Sequence, residues 1–340
     1  IGLKGREIDF EDRPLGNLVF LLDVSGSMQD ANKLPYVKEA MRMLVDRLGE
    51  NDRVAIVVYA GAAGLVLPST TADRREAILS AIDNLEAGGS TNGGQGIRLA
   101  YDVATENFVK GGVNRVILCT DGDFNVGTTS QSELVDLIEQ RAKSGVFLSV
   151  LGFGMGNYKD STMEKLADKG NGNYAYIDTP AEARKVLVEQ VSGTLITIAK
   201  DVKIQVDFNP AEVAAYRLIG YENRLLRAED FKDDTKDAGE IGAGHAVTAL
   251  YELVPPGEPI PAGDVEPSKY QTAGDLTDAA AGDEALTVRL RYKQPDEDES
   301  RPLEVAVTDP GRSFDEASGD FQFAAAVAQF GLLLRGSKYA

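Results

Sequence analysis

A chain of 340 residues is long enough for two domains, each with its own core, and its hydrophobic content of 43% is that of an ordinary globular protein. With 35 Lys plus Arg against 54 Asp plus Glu, the net charge of −19 argues against the basic footprint that nucleic-acid binding requires and suits a binder of cations. The single cysteine, Cys119, excludes an intramolecular disulfide framework, and its place inside an apolar run points to inert packing. No apolar run is long enough to span a membrane and no signal peptide is visible. The chain begins at Ile1 rather than Met, so an upstream segment carrying any targeting information is expected to have been removed.

In chain order, Leu3 to Asp12 mixes charged and apolar residues and suits a short edge strand, followed by Pro14 and Gly16 as punctuation. Leu18 to Leu22 are all apolar, the pattern of a central parallel strand buried on both faces. Leu34, Val37, Met41, Leu44 and Leu48 then recur at helical spacing, and Val54 to Tyr59 forms the next strand. Gly61 and Gly64 before Leu65–Leu67 predict a short hairpin partner, hence one antiparallel strand. Thr71 to Leu85 reads as a helix, and a glycine-rich loop from Gly88 to Gly93 feeds another from about Gln95 to Phe108.

The alternation continues with a strand at Arg115 to Thr120, a helix at Gln131 to Ser144 and a strand at Val146 to Leu151. A short helix at Ser161 to Lys169, a strand at Asn173 to Ile177 and a long helix from Pro180 to about Ile198 complete it. Buried strands alternating with helices predict an α/β fold, a doubly wound and mostly parallel sheet with helices on both faces. In such sheets ligands sit beyond the carboxyl ends of the strands, where the strand order reverses.

Past Lys200 the period changes to two at Val202 to Phe208, the mark of a half-buried strand. Further candidates are Val213 to Ile219, Ala246 to Val254, Leu286 to Tyr292 and Leu303 to Val307. They predict a second, antiparallel β-rich module, a sandwich or partial barrel, closed by an apolar helix from Asp320 to Leu334. Pro255 to Asp283, rich in Pro, Gly, Ala and Asp, reads as a long surface loop, and Asp296 to Ser300 as a hairpin tip. The predicted division is an N-terminal arm over 1–15, packing on the β module, an α/β domain over 16–198 and the β-rich module over 199–340.

The chemistry concentrates where the first central strand ends. Asp23, Ser25 and Ser27 place a carboxylate and two alternating hydroxyls beyond Leu22, an all-oxygen cluster of the kind hard divalent cations prefer. A second buried strand, Val116 to Thr120, ends in Asp121, and Thr91 lies on the glycine-rich loop. The bland alternative is that Asp23 and Ser27 only cap the following helix.

The D-x-S-x-S pattern, with a distant Thr and a distant Asp, resembles the metal-ion-dependent adhesion site of von Willebrand factor type A domains, a Rossmann-like fold. The resemblance implies that Ser25, Ser27 and Thr91 offer hydroxyl oxygens while Asp23 and Asp121 bind directly or through water. Asp123 would support the loop or act from behind these ligands. The implied cation is Mg²⁺, with Mn²⁺ or Ca²⁺ as alternatives, and the implied partner is a protein presenting an Asp or Glu that completes the coordination. Thr120 to Gly127, Gly242 to Glu252 and Phe323 to Arg335 resemble more closely a bacterial group of such proteins with a family-specific C-terminal region. Members of that group often carry export or lipoprotein signals, which implies an extracytoplasmic place in the cell envelope.

Enzymatic readings are weaker. The only histidine, His245, is distant in sequence from the serines, so a Ser-His-Asp device would need the domains to bring them together. No Walker lysine follows Gly88–Gly89 or Gly93–Gly94. The expectation is therefore a cation-dependent protein-binding module, not an enzyme; the alternatives are a metal-assisted hydrolase and a structural envelope module with a vestigial site. The ligands are expected on surface loops, so that replacing them leaves the fold intact.

Overall fold

The structure, a computed structural model, describes the chain apart from residues 9–12, 90–92, 123–130, 155–159, 190–195, 222–224, 237, 260–275, 296 and 340. The chain divides into two compact units, one of Lys4–Lys200 with 237–245, the other of Ile1–Leu3, 201–236 and 246–340.

After a short strand β1 (Gly2–Lys4), the first unit builds six strands. They are β2 (Gly16–Asp23), β3 (Arg53–Tyr59), β4 (Ala63–Thr71), β5 (Val113–Thr120), β6 (Val146–Phe153) and β7 (Tyr174–Ile177). Their order in the sheet is β4-β3-β2-β5-β6-β7, with β4 antiparallel to β3 and the other pairs parallel. The helices are α1 (Leu34–Val45), α2 (Arg75–Asp83), α3 (Gly93–Glu106), α4 (Gln131–Lys143), α5 (Asp160–Lys169) and α6 (Pro180–Arg184).

Every residue of β2 is buried, which is why the stretch is apolar without alternation. Side chains leave a strand on alternate faces. Leu18, Phe20 and Leu22 accordingly pack with Val37, Met41 and Leu44 of α1 and with Ile78 and Ile82 of α2. Val19 and Leu21 join Ile97, Ala100 and Tyr101 of α3, Leu134 and Ile138 of α4, and Met163 and Leu166 of α5. Two apolar layers thus flank the sheet. Fully burying one such side chain stabilises by about 1.5–3 kcal/mol, so the sheet position of β2 is secured chiefly by these contacts.

The entry to β2 is held by a buried ion pair. Asp52 accepts hydrogen bonds from the Gly16 and Gly49 amides, both at 2.7 Å, and faces the Arg13 guanidinium through both carboxylate oxygens. Arg115 is buried in β5, where it donates to the Ser149 and Thr197 hydroxyls; burial lowers its pKa to about 10.

One expected element differs. The helix predicted from Pro180 to Ile198 is α6 followed by a wider π turn at Lys185–Glu189, and Thr197 already begins β8 (Thr197–Phe208). Two β-branched residues, Thr197 and Ile198, favour the extended backbone there. Residues 237–245, including β10 (Gly239–Gly242), return to this unit. The Ala243 amide donates to Ile196, the Gly5 amide to His245 and the Gly244 amide to Arg6.

The second unit contains β9 (Ala215–Ile219), β11 (Ala246–Thr248), β12 (Leu250–Val254), β13 (Glu284–Lys293), β14 (Arg301–Thr308) and the helix α7 (Gly319–Leu334). β13 pairs antiparallel with β14, β12 antiparallel with β9, β1 with β11, and β8 lies beside β13. Phe208 stacks on Tyr216 with ring centroids 4.1 Å apart. Asp234 accepts hydrogen bonds from Ser300 and Arg291; the Ser300 hydroxyl is the main cause that lowers its pKa to about 2. Phe323, Phe330 and Leu334 of α7 are 71, 61 and 73% exposed, so this helix presents an apolar surface to solvent.

Candidate metal centre

β2 lies between β3 and β5, where the strand order reverses, and the ends of these three strands build the site. Asp23 is the last residue of β2, level with Tyr59 at the end of β3. Its Oδ1 accepts the Ser25 amide at 2.9 Å, while Oδ2 accepts the Tyr59 hydroxyl at 3.1 Å and the Thr120 hydroxyl at 3.3 Å. The Thr120 Oγ1 in turn accepts the Gly122 amide at 3.3 Å. α3 comes close enough to permit this arrangement because Gly96 lacks a side chain: a Cβ there would lie 2.9 Å from the Tyr59 Cβ and 3.0 Å from Leu21.

The chain leaves β2 through a turn whose ends are stitched to the Gly88–Gly89 loop. The Gly26 amide donates to Gly89 and the Gly88 amide to Val24, at 3.0 and 2.7 Å. A short 3-10 helix, Gly26–Gln29, follows without a side-chain cap, and α1 begins after Lys33, also without one. Asp23 and Ser27 are therefore not helix caps here. The Ser25 and Ser27 hydroxyls lie 3.0 Å apart. Adjacent ligands on an octahedral cation with bonds of 2.0–2.1 Å are separated by about 2.9 Å. The two hydroxyls thus fit neighbouring positions on such an ion.

Asp23 is 0% exposed and Ser25 is buried, whereas Ser27 is exposed, so the cluster opens to solvent on the Ser27 side. The expectation that the ligands sit on surface loops fails for Asp23, which belongs to the buried strand, where its carboxylate organises three donors; Ser27 and Asp121 do lie beyond their strands. Burial pushes the Asp23 carboxyl pKa up, the Ser25 and Tyr59 hydrogen bonds oppose this, and the charge of Asp121 adds to it. Burial above all, with the Asp23 charge next, holds the Tyr59 hydroxyl well above its usual value, so Tyr59 stays protonated and donates.

Asp121 follows β5 and meets a cation already present in the chain. The Lys33 ammonium lies 3.0 Å from Asp121 Oδ2, 2.8 Å from the Ser27 carbonyl oxygen and 3.4 Å from Asp30. Burial opposes the Lys33 charge, but the Asp121 and Asp30 carboxylates outweigh it and raise its pKa. A carboxylate facing an ammonium, beside a buried second carboxylate and two hydroxyls, is a donor set that suits a hard cation. The structure brings together Asp23, Ser25, Ser27 and Asp121; Thr91 and Asp123 lie outside the described residues. Among the described residues no three His, Cys, Asp or Glu side chains cluster as a metal centre. His245 sits exposed on the turn after β10.

Sequence reasoning missed Tyr59, Thr120 and Lys33. Tyr59 is the one polar side chain in the run Val54–Tyr59 and Thr120 immediately precedes Asp121, both legible signals. Lys33 lies in an irregular polar stretch, and nothing local marks it.

A doubly wound α/β unit with an oxygen-rich cluster at its switch point defines a Rossmann-like ligand-binding domain. The chain belongs to the von Willebrand factor type A family: the von Willebrand factor type A domain matches residues 17–190. Residues 193–340 match a second family, described as the C-terminal region of the uncharacterized protein YfbK. The YfbK protein of Escherichia coli K12 is 45% identical over 339 residues, which is 100% of this chain and 58% of that protein. The uncharacterized protein sll0103 of Synechocystis is 32% identical over 183 residues, 54% of this chain and 42% of its own length. The chain thus spans about half the length of these relatives. A von Willebrand factor type A structure from Catenulispora acidiphila shares the fold at a TM-score of 0.51 and 19% identity, covering 86% of this chain and 66% of that one. No helix among the described residues is long and apolar enough to cross a membrane.

Proposed function

We propose that the protein is a divalent-cation-dependent protein-binding module. Asp23, Ser25, Ser27, Thr91 and Asp121 hold one cation, Mg²⁺ with Mn²⁺ or Ca²⁺ as alternatives, and Asp123 supports them. The bound cation supplies an electrophilic position that an Asp or Glu of a partner protein completes. Membership of the von Willebrand factor type A family supports this reading, and the observation that carries it is the 3.0 Å pair of serine hydroxyls beside the buried Asp23. Neutral hydroxyls leave a cation electrophilic, and two carboxylates only balance its charge, so a third can be attracted. The docking face comprises Gly26 to Gln29 with 90–92 and 123–125, the last two outside the described residues. The role is binding rather than catalysis, and the place is the bacterial cell envelope on the extracytoplasmic side, as the family resemblance implies.

The test is a pull-down from envelope extract with and without chelator, using the wild-type chain and Asp23→Asn. Capture should vanish with chelator and in the variant. It should persist as moderate salt is added, because screening acts over a Debye length of about 8 Å whereas direct coordination is not removed by it. Capture that ignores chelator but collapses with salt would mean ordinary surface electrostatics.

A further inference from the structure

Lys33 is held at the site more firmly than a surface lysine. Its amide donates to the Asp30 carbonyl at 3.0 Å and its carbonyl accepts the Val37 amide at 3.0 Å, which ties its backbone to the start of α1. Its side chain is 15% exposed, and the stem lies along Gly154 just after β6. Gly154 has φ +98°, and a Cβ there would come within 2.9 Å of the Lys33 Cε. Gly154 thus leaves room for this stem, and the ammonium reaches Asp121 and the Ser27 carbonyl, which belong to two of the proposed ligand residues.

Charge decides what such a group does. Asp23 and Asp121 together carry two negative charges, which a divalent cation cancels. Lys33 adds one positive charge 3.0 Å from Asp121, so the loaded site is one charge unit more positive than it would be with a neutral side chain there. Asp30, 71% exposed and 3.4 Å from the ammonium, offsets part of this, weakened by its exposure to solvent. We infer that Lys33 is a specificity-determining residue of the site: it weakens cation binding and strengthens capture of a carboxylate by the loaded site. This rests on the metal reading above and assigns the charge balance that selects an acidic ligand.

The experiment uses the full chain and Mn²⁺ alone, titrated calorimetrically into wild type, Lys33→Met, Lys33→Gln, Lys33→Arg and the charge-matched control Lys38→Met. Lys38 lies on α1 and donates to the Asp83 carbonyl, away from the site. The neutral Lys33 variants should bind Mn²⁺ about tenfold tighter, since a neighbouring positive charge has been removed. Lys33→Arg and Lys38→Met should stay within about twofold of wild type. Acetate is then titrated into the Mn²⁺-loaded proteins and followed by water-proton relaxation. Wild type and Lys33→Arg should respond at several-fold lower acetate than either neutral variant. Melting curves in chelator establish that each variant is folded, and Lys33→Gln stands in should Lys33→Met fail to fold. Mn²⁺ binding that is unchanged or weaker in the folded neutral variants overturns the inference and leaves Lys33 a mere support for Asp121. Equal tightening in Lys38→Met also overturns it, because net charge would then suffice. If neither wild type nor any Lys33 variant binds Mn²⁺, the metal reading itself fails.

Discussion

Replacing Asp23 separates the duty its hydrogen bonds show from the ligand duty proposed for it. Its buried carboxylate accepts three hydrogen bonds, from the Ser25 amide, the Tyr59 hydroxyl and the Thr120 hydroxyl. Alanine removes all three acceptor contacts, at about 1 kcal/mol each. That is about 3 kcal/mol in chelator, or roughly 6–12 °C in melting temperature for a unit of this size. Asparagine is different. Its carbonyl keeps the Ser25 amide, and its NH₂ faces two hydroxyls whose oxygens can accept. It also removes a charge that burial and Asp121 disfavour. In chelator Asp23→Asn should therefore melt within about 1 kcal/mol of wild type. With Mg²⁺ at a hundredfold excess over its Kd, wild type gains about 2.7 kcal/mol by mass action and the asparagine variant gains nothing. Scanning calorimetry in EDTA and in Mg²⁺ reads both effects. An equal Mg²⁺ shift in Asp23→Asn would refute the ligand assignment, and a costless Asp23→Ala would refute the hydrogen-bond argument.

Asp52→Ala removes the buried carboxylate facing Arg13 and two amides, and should cost about 3–5 kcal/mol in urea unfolding at unchanged m-value, without altering cation affinity. Asp234 carries a pKa lowered from 3.8 to about 2, so its contribution is complete above 3.8 and lost as pH falls through about 2. Calorimetry of the full chain should show Asp234→Asn less stable than wild type above pH 4 and the two converging near pH 2. Cys119, buried in β5 with its thiol pushed up by burial, should resist alkylation in the native protein and react fully only after unfolding, as read by mass spectrometry. Gly154→Ala meets both a positive φ and the Lys33 stem; it should lower melting temperature and change Mn²⁺ affinity in the same direction as Lys33→Met, by displacing the same ammonium.

Much of this molecule is written locally. The unbroken apolar run of Leu18–Leu22 can only be a strand covered on both sides, and the helical spacing of Leu34, Val37, Met41 and Leu44 predicts one of the covers. Asp23, Ser25 and Ser27 are legible because three consecutive alternating positions carry oxygen at the end of that run. The antiparallel β4 was likewise announced by Gly61 and Gly64. The start of β8 was not: Thr197 and Ile198 could extend a helix by spacing alone, and only pairing partners decide that they form a strand.

Tertiary structure alone determined the company these residues keep. Lys33 and Asp121 are 88 residues apart, Tyr59 is 36 from Asp23 and Thr120 is 97, and no periodicity encodes such distances. They meet because β2 lies between β3 and β5, which follows from how two apolar layers are best buried over the whole sheet. The same packing buried Asp23, which sequence placed at a surface: a strand's last residue is core or rim according to what its neighbours present, and here Tyr59 and Thr120 present hydroxyl donors. Sequence by itself therefore determined the donor chemistry, because residue type and local spacing suffice for it, while charge balance and burial were decided only where distant strands converge.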